Sequence, residues 1–248
     1  IFARVIDVAG EEQGIGGFIV FADPMAGDMP AGFEIVGRER TLGLCGMPEA
    51  ELRFDNLEVH ERWLLAPPSG LKRGFKDLMT AYNSQRVGAG TIAMGVAAGA
   101  LDRAKSYLLE RRQFGRPLAE FQGLQWMAAD METQICAARL LLRDAALSGG
   151  QNGDPFPDMA KAARAKLFAS EMAIKVVNDA LQMFGARGYS DKEPLERMYR
   201  DVRMFTIGGG TAQVLRNQIA SSALGMKCPQ TRTGYVDQDW PIQTLAAE

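Results

Sequence analysis

Histidine is nearly missing from this chain: 248 residues contain only His60. That argues against a histidine-dependent zinc centre or triad. Cysteine is scarce too. Cys45, Cys136 and Cys228 are odd in number, far apart and without metal-ligand spacing. They fit a reducing compartment better than a disulfide framework, so a cytoplasmic protein is expected. No apolar run approaches the ~20 residues that span a bilayer, so no membrane partner is expected. Neither charge sign dominates, the net charge being −2, which argues against nucleic acid. The first residues, Ile1-Phe-Ala-Arg-Val-Ile, carry no basic leader and read as a strand. The chain is thus expected to begin inside a domain. The most local absence is of carboxylates. Leu78–Leu101 and Val202–Val236 contain no Asp or Glu, although both are rich in the small residues that let a ligand or a helix come close.

What is present divides into two regions. Residues 1–68 hold five of the eleven prolines and several short apolar runs. Ile1–Val8, Gly17–Phe21, Phe33–Val36 and Glu51–Phe54 read as strands bounded by Gly, Asp and Pro. The Gly14–Gly17 cluster lacks a strand-turn-helix context and reads as a plain turn. From residue 69 the intervals 69–116, 118–154, 158–193 and 195–228 are free of proline and rich in good helix formers. The pattern predicts helices over about 72–112, 121–148, 159–184, 194–205 and 211–225. Leu124, Met127, Ala128, Met131, Ile135, Ala138 and Leu142 recur at steps of three and four, the mark of one buried helical face. Asp158 reads as an N-cap and Gly185 as a helix stop. The small residues of Val87–Ala100 point to close approach by another helix or a ligand. The expected fold class is α+β: a partial antiparallel β-domain (1–69), an up-and-down C-terminal α-helical bundle (70–227) and a polar tail (228–248).

Two segments can carry chemistry. In Glu110–Gln122, which joins two helices through Gly-Arg-Pro, Arg111 and Arg112 are either end-of-helix cations or, for Arg111, a phosphate clamp. In Thr206–Gln213 three consecutive glycines permit close backbone approach and Thr211 opens the next helix. That arrangement suits a phosphate or ribose edge, or simply a flexible turn.

Taken together, the chain resembles the acyl-CoA dehydrogenase family of flavoproteins over about residues 1–226. The likeness lies in Gly74-Phe-Lys-Asp-Leu-Met, Arg111-Arg-Gln-Phe-Gly-Arg-Pro-Leu-Ala-Glu-Phe-Gln, Ala165-Lys-Leu-Phe-Ala-Ser-Glu, Gln182-Met-Phe-Gly-Ala-Arg-Gly-Tyr and Leu195-Glu-Arg-Met-Tyr-Arg-Asp. The resemblance implies an N-terminal α-domain not contained in this sequence, a central β-domain and a C-terminal four-helix bundle. It further implies a homotetramer that shares FAD between subunits and acts on a CoA thioester. By position, Arg111, Gln113 and Phe114 would contact the FAD of a neighbouring subunit. Gln182 and Gly185, with Ala186 replacing a common glycine, would approach its pyrophosphate and ribose. Thr211 and Gln213 would hold its adenosine side. Asn83, where the family often has Asp, and Arg86 would face the CoA portion.

The departures narrow the reading. The family's catalytic Glu lies in a Tyr-Glu-Gly-Thr motif, which here reads Gly208-Gly209-Gly210-Thr211, or just before the conserved Arg, where this chain has Gln85. Abstracting a proton beside a thioester needs a positioned base, and a neutral amide is not one. The branch of 3-sulfinopropanoyl-CoA desulfinases shares this double loss. It also looks similar in Asp7-Val-Ala-Gly-Glu-Glu-Gln-Gly-Ile-Gly, Leu71-Lys-Arg-Gly-Phe, Ala81-Tyr-Asn-Ser-Gln-Arg-Val-Gly-Ala-Gly, Phe121-Gln-Gly-Leu-Gln-Trp and Pro229-Gln-Thr-Arg. The resemblance implies C–S cleavage to propanoyl-CoA and sulfite, with Gln85 as the candidate catalytic residue that orients substrate or water. The alternatives are an FAD-dependent acyl-CoA dehydrogenase or enoyl-CoA reductase with its acid/base elsewhere, and a non-catalytic partner subunit.

Overall fold

The computed structural model describes residues 1–23, 27–67 and 69–228. The chain divides into two compact units, Ile1–Tyr82 and the segment from Asn83 onward.

The first unit is built on short antiparallel pairings. β1 (Phe2–Ile6) pairs with β2 (Glu12–Phe18), and β2 pairs with β5 (Leu64–Leu65). β3 (Phe33–Glu39) and β4 (Glu49–Phe54) form a separate hairpin with a bulge between Ile35 and Gly37. β1 ends earlier than its apolar run suggests because Asp7 starts a turn. Its carboxylate accepts from the Ala9 and Glu11 N–H groups at 2.9 Å each.

The Gly14–Gly17 cluster is not a turn. It forms the middle of β2, and the physical reason is close packing. Gly14 has φ +116°, and a Cβ on it would fall on the Leu71 carbonyl. One on Gly16 would lie 2.7 Å from Leu64 Cδ1. Glycine inside a strand marks just such a close backbone approach.

In the second unit the helices follow the sequence closely. α1 covers Gly74–Glu110, α2 Gln122–Leu147, α3 Met159–Phe184, α4 Leu195–Arg203 and α5 Ala212–Leu224. The unit division falls inside α1 rather than at its start. Its first residue, Gly74, lies so close to the β2 backbone that a Cβ would meet the Ile15 carbonyl. At the other end, α1 is shorter than expected because Arg112–Gln113 (β6) pairs with Arg116–Pro117 (β7). Phe114 and Gly115 turn that hairpin at φ +52° and +80°.

α3 is the hub, packing against α2, α4 and α5. Of the predicted α2 face, Met131, Ile135, Ala138 and Leu142 are buried, while Leu124, Met127 and Ala128 are half-buried. The small residues of α1 serve tight helix packing. Ala93, Ala97, Ala100 and Ala104 are fully buried, and a Cβ on Gly90 would lie 2.8 Å from Leu142 Cδ2 and 3.3 Å from Lys166 Cα.

Asp158 caps α3 as expected, its Oδ1 accepting from Lys161 N at 2.8 Å, and Gly185 ends the helix at φ +58°. Asp158→Ala is expected to lower stability by about 1 kcal/mol in urea unfolding, and Asp158→Asn by much less. Apart from Cys228, the expected polar tail lies outside the described residues. Among the described residues no helix is long and apolar enough to cross a membrane.

Candidate functional site

The site is centred on a residue that the sequence does not single out. Lys166 lies on the Ala-rich buried face of α3, beside Ala162, Ala163, Ala165, Ala169 and Ser170, and its relative exposure is 0%. Small neighbours leave a channel for its four-carbon stem. Its Nζ donates to the carbonyls of Gly208 at 2.8 Å and Gly210 at 2.7 Å. Both partners are neutral, so the charge is hydrogen-bonded without being neutralised there. Burial, and secondly the nearby Arg86 guanidinium, lower the Lys166 pKa from 10.5 to about 8.

The loop that receives these bonds can bend as it does only because of its glycines. Gly209 and Gly210 have φ +72° and +94°, where any other residue is strained. A Cβ on Gly209 would lie 4.0 Å from Lys166 Cε, and one on Gly210 would lie 3.9 Å from Arg86 Nε and Nη2. Two buried cations thus underlie one glycine turn. Arg86, 3% exposed, donates from Nη1 to Asn83 Oδ1 at 2.8 Å. Asn83, 1% exposed, donates in turn to the Pro157 carbonyl at 3.1 Å. Asn83 and Arg86 are therefore interior groups in this chain, bonded to one another. Gln85 stands about 100° round α1 from Arg86 and is exposed.

Immediately after the turn, Thr211 caps α5, its Oγ1 accepting from Val214 N at 3.2 Å. Thr206, Thr211 and exposed Gln213 line a cleft of about 550 Å³ with Tyr199, Arg203 and Lys175. The cleft is lined by polar and apolar side chains alike, has Glu171 as well as Lys175 and Arg203 in its wall, and opens at the positive end of a thirteen-residue helix.

The remaining candidates lie at the far end of α3. Arg111, Gln113 and Phe114 sit on the β6–β7 hairpin and are exposed, Phe114 at 91%. Arg116 lies over the Phe121 ring at 4.2 Å, and Phe114 meets the same ring edge-on. The end of α1 leading into the hairpin is tied to the α3 C-terminus by the Tyr107–Phe184 stack, with centroids 4.1 Å apart. Gln182 and Gly185 flank that stack and are exposed. From Lys166 to Gly185 is nineteen helical steps, roughly 28 Å. The chain thus gathers Asn83, Arg86 and Thr211 round one turn and Arg111, Gln182 and Gly185 at the C-terminal end of α3, and the cleft beside Thr211 reaches along α3 as far as Asn178, one turn before Gln182. A sequence signal for Lys166 did exist: it is a lone charge within the apolar stripe of Ala162, Ala163, Ala169, Ala173 and Val177.

Residues 72–224 match the family model described as acyl-CoA dehydrogenase, C-terminal domain. Among curated proteins, the chain is 59% identical to the 3-sulfinopropanoyl-CoA desulfinase of Variovorax paradoxus, over 95% of this chain and 57% of the relative. It is 56% identical to that of Advenella mimigardefordensis, with the same coverage. The chain thus spans somewhat over half the length of these relatives. Among solved structures, butyryl-CoA dehydrogenase from Megasphaera elsdenii superposes with a TM-score of 0.79 at 34% identity, over 90% of this chain and 55% of the other.

Proposed function

The chain belongs to the acyl-CoA dehydrogenase family, and on that premise we propose that it is a flavoprotein converting 3-sulfinopropanoyl-CoA to propanoyl-CoA and sulfite. The observation that carries the reading is the Gly208–Gly210 turn. Where the family places its carboxylate there is a glycine in the left-handed region, above two buried cations. The second base position is an exposed amide, Gln85. Neither position offers a group to remove an α-proton from a thioester.

Desulfination fits such a site. The C–S bond of the sulfinate breaks, the carbon takes a proton, and the sulfur takes hydroxyl from water. Carbon is reduced by two electrons and sulfur oxidised by two, so the sum is a hydrolysis without an external acceptor. Gln85 can both donate and accept hydrogen bonds, and its role in this reading is to orient the substrate or a water. Asn83 and Arg86, together with Lys166, hold the floor of the turn on the CoA-thioester side.

FAD is the implied cofactor, and when bound it supplies a two-electron acceptor and donor. The residues present fit it. Thr211, Gln213 and the N–H groups at the start of α5 suit its adenosine side. Arg111, Gln113, Phe114, Gln182 and Gly185 suit the pyrophosphate of an FAD held mainly by a second subunit. That Arg111, Gln113, Phe114, Gln182 and Gly185 are all exposed supports this sharing, and a homotetramer is the assembly that the family likeness implies.

The test is direct. Incubated with 3-sulfinopropanoyl-CoA and no electron acceptor, the protein is expected to release sulfite stoichiometrically with propanoyl-CoA, and none from free 3-sulfinopropanoate. Acyl-CoA-dependent reduction of an electron-transfer dye at dehydrogenase rates would replace this reading with the dehydrogenase or reductase one. No turnover alone, with a catalytic sister chain co-purifying, would make the protein a partner subunit.

A further inference from the structure

Lys166 stands where an apolar side chain would pack without burying a charge, and burying that charge is unfavourable. Its role therefore lies in what it holds. We propose that Lys166 is a positioning residue: by binding the Gly208 and Gly210 carbonyls at once, it fixes the glycine turn and, through it, the cofactor-facing N-terminus of α5. The part that concerns the cofactor rests on the flavoprotein reading above.

Three glycines in a row have more backbone freedom than any other tripeptide, and ordering them needs an external tie. The backbone supplies little of it. The turn follows one 3-10 turn, Met204–Thr206, and its Ile207 and Gly208 N–H groups both go to the Met204 carbonyl. Lys166 reaches across from a different helix, 42 residues away from Gly208 and 44 from Gly210. Both carbonyls accept from an ammonium rooted on the buried face of α3. The Gly208–Gly209 and Gly210–Thr211 peptide planes are set by those bonds, and the second of them leads directly into Thr211, the α5 cap.

The surroundings make the tie specific. Gly90 on α1 comes so close that a Cβ would lie 3.3 Å from Lys166 Cα, which confines the root of the side chain. Arg86, from the same helix, is the charged group that acts on the ammonium. The loop itself offers glycine carbonyls, and the adjoining Leu142 of α2 and Leu215 of α5 are apolar. A guanidinium keeps its charge in proteins, so Lys166 is the group whose charge varies in the neutral-to-alkaline range. A charged donor holds a carbonyl more strongly than a neutral one. The tie is accordingly firmest below pH 8.

The experiment compares wild type, Lys166→Met and Val176→Ala, the last a fully buried α3 control outside the site. Amide-exchange protection factors are measured along the chain, and FAD affinity is measured by titration from pH 6.5 to 9.5. In Lys166→Met, protection over residues 208–214 is expected to fall at least tenfold relative to α2 and α3, and FAD affinity about tenfold. Val176→Ala is expected to lower protection broadly, with no preference for the turn. In the wild type, FAD affinity falls as the pH passes about 8, whereas in Lys166→Met it is low and flat. A variant whose turn stays as protected as in wild type, or loosens only in step with the whole bundle, overturns the proposal. If the variant does not fold, the wild-type pH series decides: turn protection and FAD affinity that stay constant through pH 8 overturn it. Sulfite release plays no part in the exchange readout, so failure of the desulfinase reading and failure of this one are seen separately.

Discussion

Gly14→Val is expected to destabilise the first unit by roughly 2–6 kcal/mol, enough to open its β1–β2 sheet in ordinary buffer. Two costs add. At φ +116° a β-branched residue is held in a region that L side chains avoid, which costs on the order of 1–3 kcal/mol. In addition, the new Cβ would overlap the Leu71 carbonyl, which is backbone and cannot swing aside as a side-chain tip would. Overpacking of that kind costs about 1–3 kcal/mol more. Amide exchange at the β1–β2 pairings reads the effect: protection is expected to be lost there. Gly37→Ala is the control, since Gly37 lies outside the left-handed region and nothing sits within 4 Å of an added Cβ. A Gly14→Val protein whose β1–β2 amides stay protected would show that the backbone at Leu71 can move, and that the close approach is incidental.

Lys166 gives the second large effect, and its direction is unusual. Burial lowers its pKa from 10.5 to about 8, so the native chain holds this proton less tightly than the unfolded chain. Below pH 8 both states are protonated and the full cost of the buried charge is present. Between pH 8 and 10.5 the unfolded state binds one more proton, and stability from this group rises with pH. Above 10.5 the cost is gone. With about 1.4 kcal/mol per pK unit, the gain from pH 7 to 10.5 is at most roughly 3 kcal/mol. Measured as the wild-type stability minus that of Lys166→Met, in urea at each pH, the difference is expected to increase by 2–3 kcal/mol across that range. A difference that stays level, or falls, would show that the native lysine keeps its ordinary proton affinity. The glycine turn responds the other way, loosening as the charge is lost. The chain therefore carries a stability penalty at neutral pH at the place where its glycine turn accepts the Lys166 hydrogen bonds.

Much of this architecture could be read from residue order. The five helices were legible because long proline-free intervals, an Asp158 cap and a Gly185 stop act locally, within a turn or two of the chain. The glycines at 14–17 were misread for a complementary reason. Glycine permits a turn and permits close packing equally well, and what chooses between them is Leu71, more than fifty residues away in sequence. The site divides along the same line. The absence of a carboxylate at Gln85 and Gly209 is written in the sequence. That Asn83 and Arg86 are buried and bonded together, while Gln85 is exposed one step round the helix, is not.

By itself, then, the sequence determined the helices, the family likeness and the missing base, since each depends on residue identity, local spacing or motif order. Only the tertiary structure decided that Lys166 belongs to the site. A lysine in an alanine stripe has no local partner. Its role arises from carbonyls brought to it by a loop 42 to 44 residues on, held at 2.7–2.8 Å in a place where the charge loses most of its water.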